Sequence, residues 1–174
     1  MYKQRTAIGD PTRGGFWEQI APGAFDRALN EDQDVRFLVD HDPSRVLART
    51  ASGTLSLSSD KKGLLVDADL ADTSIGRDLR VLLERGDVSQ MSFGFVVNKD
   101  EWAMQKDGTE LRTIHDVDLF DVSAVTFPAY PQTDAAVRAA GFGEIRKQRN
   151  AERAARFAAI NVPGSRADNT GDSK

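Results

Sequence analysis

The 174-residue chain contains no cysteine. Disulfides, thiolate zinc sites and cysteine nucleophiles are therefore excluded, and a reducing compartment suits the chain. Histidine is scarce, with two in the whole sequence. Neither sign of charge dominates: 23 basic against 27 acidic residues leave a net charge of -4. That balance gives no global reason to expect nucleic acid binding. No run approaches the ~18 apolar residues a membrane span needs. The opening "MYKQRTAIGD" lacks the apolar core of a signal peptide. The expectation is a cytoplasmic protein. What is present is an ordinary soluble balance, 40% hydrophobic and 29% charged, in a length that suits one domain with a real core.

Strand signals crowd residues 1–131. "DVRFLVD" is apolar and branched, and "TLSLSSD" alternates strictly, with Leu55 and Leu57 on one face. "GLLVDADL" follows it after the polar turn "SDKKG", so the two read as a hairpin. "MSFGFVV" sets Met91, Phe93 and Phe95 on one face and Ser92, Gly94 and Val96 on the other. "LRTIHDVDLF" and "DVSAVTF" read as two further strands. Two helices interrupt the strands, a short one in "APGAFDRALN" and a better-marked one in "DTSIGRDLRVLLERGD". The second is capped by Asp72, Thr73 or Ser74, presents Ile75, Leu79 and Leu82 at i, i+4 and i+7, and stops at Gly86. Beyond a cap at Thr133 and Asp134, residues 132–160 are alanine-rich and helical. Their basic helix could dock on an acidic partner or simply be solvated. Residues 161–174 are expected to be a disordered tail. The pattern predicts an α+β fold, a mostly antiparallel β-barrel or sandwich with peripheral helices.

Three segments carry chemistry. Ser92 starts a strand just after a helix and a glycine, and Gly94 leaves its face uncovered, the clearance a nucleophile needs. An ordinary strand serine fits the same pattern. His41 lies between Asp40 and Asp42 at the end of an apolar run. It reads as a capping histidine, a base or a ligand. A metal site would have to combine it with His115 and nearby aspartates, yet neighbours on a strand point to opposite faces. Asp42-Pro43 starts a turn, Asp40 alternates away from His41, and both carboxylates are expected to point away from the ring. Asp116, Asp118 and Asp121 stand inside a strand-like stretch, where an acid needs a partner or water. One that faces inward is a natural group to orient an imidazole.

Four ordered blocks together resemble the prohead (procapsid) maturation proteases of tailed bacteriophages. They are "GGFWEQIAPGAFDRAL", "VDHDPSRVLARTASGTLSLSSDKKGLLVDADLADT", "RGDVSQMSFGF" and "DVDLFDVSAVTFPAYPQTDAAVR", from Gly14 to Arg138. The resemblance implies a fold similar to the herpesvirus assemblins, a β-barrel surrounded by helices. It implies a serine endopeptidase that needs no cofactor, metal, nucleic acid or membrane. Such an enzyme works in the host cytoplasm inside the procapsid, cutting the scaffold or the delta region of the major capsid protein, and itself. It places the nucleophile on Ser92 and the general base on His41. The third member falls on Asp121, where the phage proteins more commonly carry glutamate. His115 competes for that role because the herpesvirus enzymes use histidine there, and Asp116 and Asp118 stay open as well. The arginine after the block is Arg138, the candidate for holding an oxyanion water. The protease domain then covers 1–140, a helical extension 141–160 and the tail 161–174. A homodimer stays open, as do two other readings: an inactive capsid-assembly module of the same fold, and a metal-dependent hydrolase.

Overall fold

A computed structural model describes residues 2–130 together with Thr133 and Ala135. The helix expected in 144–160, the tail 161–174, Asp134 and Arg138 lie outside the described residues. The elements run β1 (Thr6–Ile8), β2 (Phe16–Ile20), α1 (Asp26–Asn30), β3 (Arg36–Val39), β4 (Ala48–Arg49), β5 (Leu55–Ser59), β6 (Leu64–Ala68), α2 (Ser74–Arg85), β7 (Gln90–Met104) and β8 (Glu110–Val125). The result is α+β and strand-rich.

β8 is the axis of the sheet. Along one edge it pairs in parallel with β2, from Trp17↔Leu111 to Ile20↔Ile114, and then with β3, from Arg36↔Asp121 to Val39↔Ala124. Along the other edge β7 lies antiparallel over its whole length. β1 adds to β2 and β4 to β3, both antiparallel. The hairpin of β5 and β6 forms as expected, as a separate two-stranded sheet.

The expected closed barrel does not form among the described residues; antiparallel pairing predominates as expected, but β2 and β3 join β8 in parallel, so the main sheet is mixed. The cause lies in β8. Two strands share one of its edges end to end, so the sheet grows by lengthening around one strand instead of curling back on itself. The stretches expected as two strands, 111–120 and 121–127, also run as one. The register steps from Gly94↔Asp121 to Phe95↔Leu119, which leaves Phe120 as the extra residue of a bulge. Pairing continues across the break in alternation.

Apolar side chains from β8 fill the core: Ile114, Val117, Leu119 and Val122 are essentially inaccessible. Phe93 packs edge-on to Phe25 and stacks on Phe95 and Tyr130 at centroid distances of 5.1 and 5.2 Å. The apolar face read from "MSFGFVV" is thus the core face of β7. In α2, Thr73 Oγ1 caps by accepting from Gly76 N, and Gly86 ends the helix. The inward face differs from the expected stripe. Gly76 and Leu79 are buried, whereas Ile75 and Leu82 are 36% and 39% exposed. Gly76 lies against the Ala71 carbonyl, closer than any side chain would allow, and this turns its own side of the helix inward.

Polar clamps tie the connections to β8. Arg27 of α1 donates through Nε to Asp116 and through a terminal nitrogen to Asp118 Oδ1 at 2.6 Å. Bonds from Arg27, Gln33 and Asn98 hold the Asp118 carboxyl down at about 2. Nearer the start of β8, buried Tyr130 donates to Glu18 Oε1, and Arg112 donates to Glu18 Oε2 at 3.2 Å. Burial, and then the bond to Glu18, raise the Tyr130 phenol well above its ordinary pKa. Tyr130→Phe would leave Glu18 Oε1 without its buried donor. Urea denaturation should show a loss of about 1–3 kcal/mol.

Candidate active site

The site is built at one end of β8, where β3, β8 and β7 lie side by side. β3 ends in a tight turn: Asp42 N donates to Val39 O at 3.0 Å, and Asp40 and His41 have φ of 50° and 57°. Positive φ at both central residues is the type I′ pattern, uncommon for residues other than glycine, asparagine, aspartate and histidine. Asp40 pins the turn. Its N donates to Ala124 O at 2.9 Å, which extends the β3–β8 ladder by one rung. Its Oδ1 accepts from Thr126 N at 2.8 Å. Asp42 Oδ1 accepts from Ser44 N and Ser44 Oγ, and Asp42 pairs with Arg45. The Ser44 hydroxyl, ahead of its amide, holds the Asp42 carboxyl below the usual range. Both carboxylates are thus engaged away from the imidazole.

The turn sends the His41 ring back toward β8, where Nδ1 donates to Asp121 Oδ1 at 2.7 Å. An ionised carboxylate only accepts hydrogen bonds, so Nδ1 carries the proton and Nε2 of the neutral ring keeps its lone pair. An imidazole held this way can take a proton at Nε2. The His41 side chain is 40% exposed and the Asp121 side chain 15%, so the ring opens to solvent while its partner is mostly covered.

Ser92 lies on β7, paired across the ladder with Ser123 of β8, and Gly94 pairs with Asp121. Alternation puts all four on one face, opposite the Phe93 core side. Directly opposed Cβ atoms are about 4.5–5.5 Å apart. Ser92 is 5% exposed. Among the described residues no hydrogen bond joins it to His41; such bonds often tighten only when substrate is present. The clearance expected above Gly94 is not empty, because the Asp121 carboxylate lies over it.

The other candidates are engaged elsewhere. His115 is the extra residue of a further bulge and faces Glu101 at 3.5 Å. Six residues of strand, roughly 20 Å, separate it from Asp121. Asp116 and Asp118 hold Arg27. Among the described residues no group of three or more histidines and acids is placed to hold a metal ion.

Two contributors escaped the sequence reading. Ser123 Oγ donates to Asp121 Oδ1 at 2.6 Å and is fully buried. Thr133 Oγ1 accepts from Met91 N at 3.0 Å and donates to Met91 O, so it grips the residue before Ser92. The spacing Asp-x-Ser within a strand was a usable signal for the first, since i and i+2 share a face. No local signal marks the second.

The family described as caudovirus prohead serine protease matches residues 5–148. The chain belongs to that family. The prohead protease of Enterobacteria phage HK97 is 34% identical over 115 residues, covering 65% of this chain and 49% of that protein. The chain therefore spans about half the length of the curated relative it matches. No solved structure matches. Among the described residues no helix is long and apolar enough to cross a membrane.

Asp40→Ala would remove the Thr126 contact and put an ill-suited residue at positive φ, and the melting temperature should fall by roughly 3–6 °C. Asp40→Asn keeps an acceptor and tolerates the left-handed region, so its melting temperature should stay within about 2 °C.

Proposed function

We propose that this chain is a serine endopeptidase of procapsid maturation, with Ser92 as nucleophile, His41 as general base and Asp121 as the group that orients the base. The observation that carries the reading is the 2.7 Å bond from His41 Nδ1 to Asp121 Oδ1, beside the strand that bears Ser92, in a chain of this family. Ser92 Oγ attacks the scissile carbonyl as His41 Nε2 takes its proton. The same proton passes to the leaving amine. Asp121 keeps Nδ1 protonated and stabilises the imidazolium. Water then enters by the same route and releases the acyl group from Ser92. The name of the HK97 relative supports prohead proteins as substrates. The proposed targets are the scaffold or the delta region of the capsid protein, and the chain itself.

The test is co-expression with the capsid or scaffold protein, read by mass. Wild type should shorten its partner. Ser92→Ala should lose cleavage by on the order of 10⁴-fold or more at an unchanged melting temperature, and His41→Ala should lose as much while melting a few degrees lower, because it puts alanine at a φ of 57°. Cleavage retained by purified Ser92→Ala protein would remove Ser92 as nucleophile. Absence of cleavage in wild type would favour the inactive assembly module.

A further inference from the structure

Asp121 does not stand free on the sheet. It rests in a seat made by two residues that take no part in the proposed chemistry. On β7, the Cβ of any side chain at position 94 would lie 2.1 Å from Asp121 Oδ2 and 3.1 Å from its Cγ. Real Cβ atoms do not come so close to another heavy atom. The carboxylate thus occupies the space a methyl group would fill, and it can do so only because residue 94 is glycine. On β8 itself, Ser123 Oγ donates to Oδ1 at 2.6 Å, the same oxygen that receives His41 Nδ1 at 2.7 Å. Ser123 is fully buried, so water cannot replace its hydroxyl. The bulge at Phe120 falls directly beside this pair. Bulges re-aim the side chains next to them.

We propose that Gly94 and Ser123 are positioning residues that set the Asp121 carboxylate, and through it the tautomer and direction of the His41 ring. The part of this that concerns turnover rests on the catalytic reading above; the seat itself does not. Three constraints locate the carboxylate: its bond to β8, the bare backbone of β7 beneath Oδ2, and the Ser123 hydroxyl at Oδ1. What remains of the acceptor capacity of Oδ1 faces His41. A side chain at 94 lifts the carboxylate away. Loss of the Ser123 hydroxyl frees it to rotate. Neither residue needs to touch substrate.

Gly94 lies in a strand and has no positive φ, so alanine suits its backbone. Gly94→Ala is therefore a test of the seat rather than of the fold. The experiment uses the full chain carrying Ser92→Ala, to stop self-cleavage, and His115→Gln, to leave one imidazole. Proton NMR should show one downfield ring N–H, from His41 Nδ1. Gly94→Ala and Ser123→Ala should each abolish that signal, as Asp121→Asn should, while the amide spectrum stays dispersed. In otherwise wild-type protein, each should lower kcat by about 10²-fold with KM within twofold. Retention of the ring signal in either variant overturns the seat. If Gly94→Ala does not fold, Ser123→Ala decides alone, since it removes a single oxygen. The NMR result stands even if the wild-type chain cleaves nothing, so failure of the seat and failure of the catalytic reading are separable.

Discussion

One strand carries this molecule: β8, 16 residues long, pairs with β7 along one edge and with β2 and then β3 toward the two ends of the other. Buried backbone groups must be paired, so the ladder leaves β8 little freedom to slip. A shift of one residue would turn Asp121 and Ser123 to the core and Val122 to the site. The register that buries the apolar side chains of β8 is therefore the register that presents its acid. Core and site are two faces of one pairing choice.

The acids of β8 separate by what lies across from them. Asp116 and Asp118 meet Arg27 and fasten α1 to the sheet. Asp121 meets a neutral hydroxyl and an imidazole. A guanidinium keeps its proton at any working pH, so an acid paired with it is fixed in its role. An acid paired with an imidazole instead faces a partner whose own charge can change. Similar sequence surroundings thus hold three carboxylates of two kinds, and only their partners tell them apart.

Part of the candidate site was legible from local signals, while the roles of His41, Ser92 and Asp121 came from the resemblance. The alternation of "MSFGF" separated Phe93 from Ser92, and the hairpin of β5 and β6 followed from a turn between two alternating runs. The Asp42-Pro43 turn likewise followed from residue type. Features set by long-range pairing were not legible. The single course of β8 depends on bulges that look like ends of strands. The open sheet depends on β2 and β3 meeting the same edge, which no periodicity records. In α2 the stripe of Ile75, Leu79 and Leu82 was real, yet Gly76 outweighed it by admitting a closer neighbour. Gly94 was noticed for the room it leaves, but not for what fills that room.

Thr133 sets a limit on how short a working piece of this protein can be. Every strand of the main sheet is complete by Val125, and a fragment ending there would keep all the ladders of β8. It would lose Tyr130 from the stack on Phe93, and with it the donor to Glu18. It would also lose the hydroxyl that holds both backbone groups of Met91, and the Ala135 N bond to Ser89 O. The strand that carries Ser92 would then begin without an anchor. Trimming that stops beyond Ala135 spares these ties, whereas a cut a few residues earlier severs them without removing any residue of the proposed catalytic set.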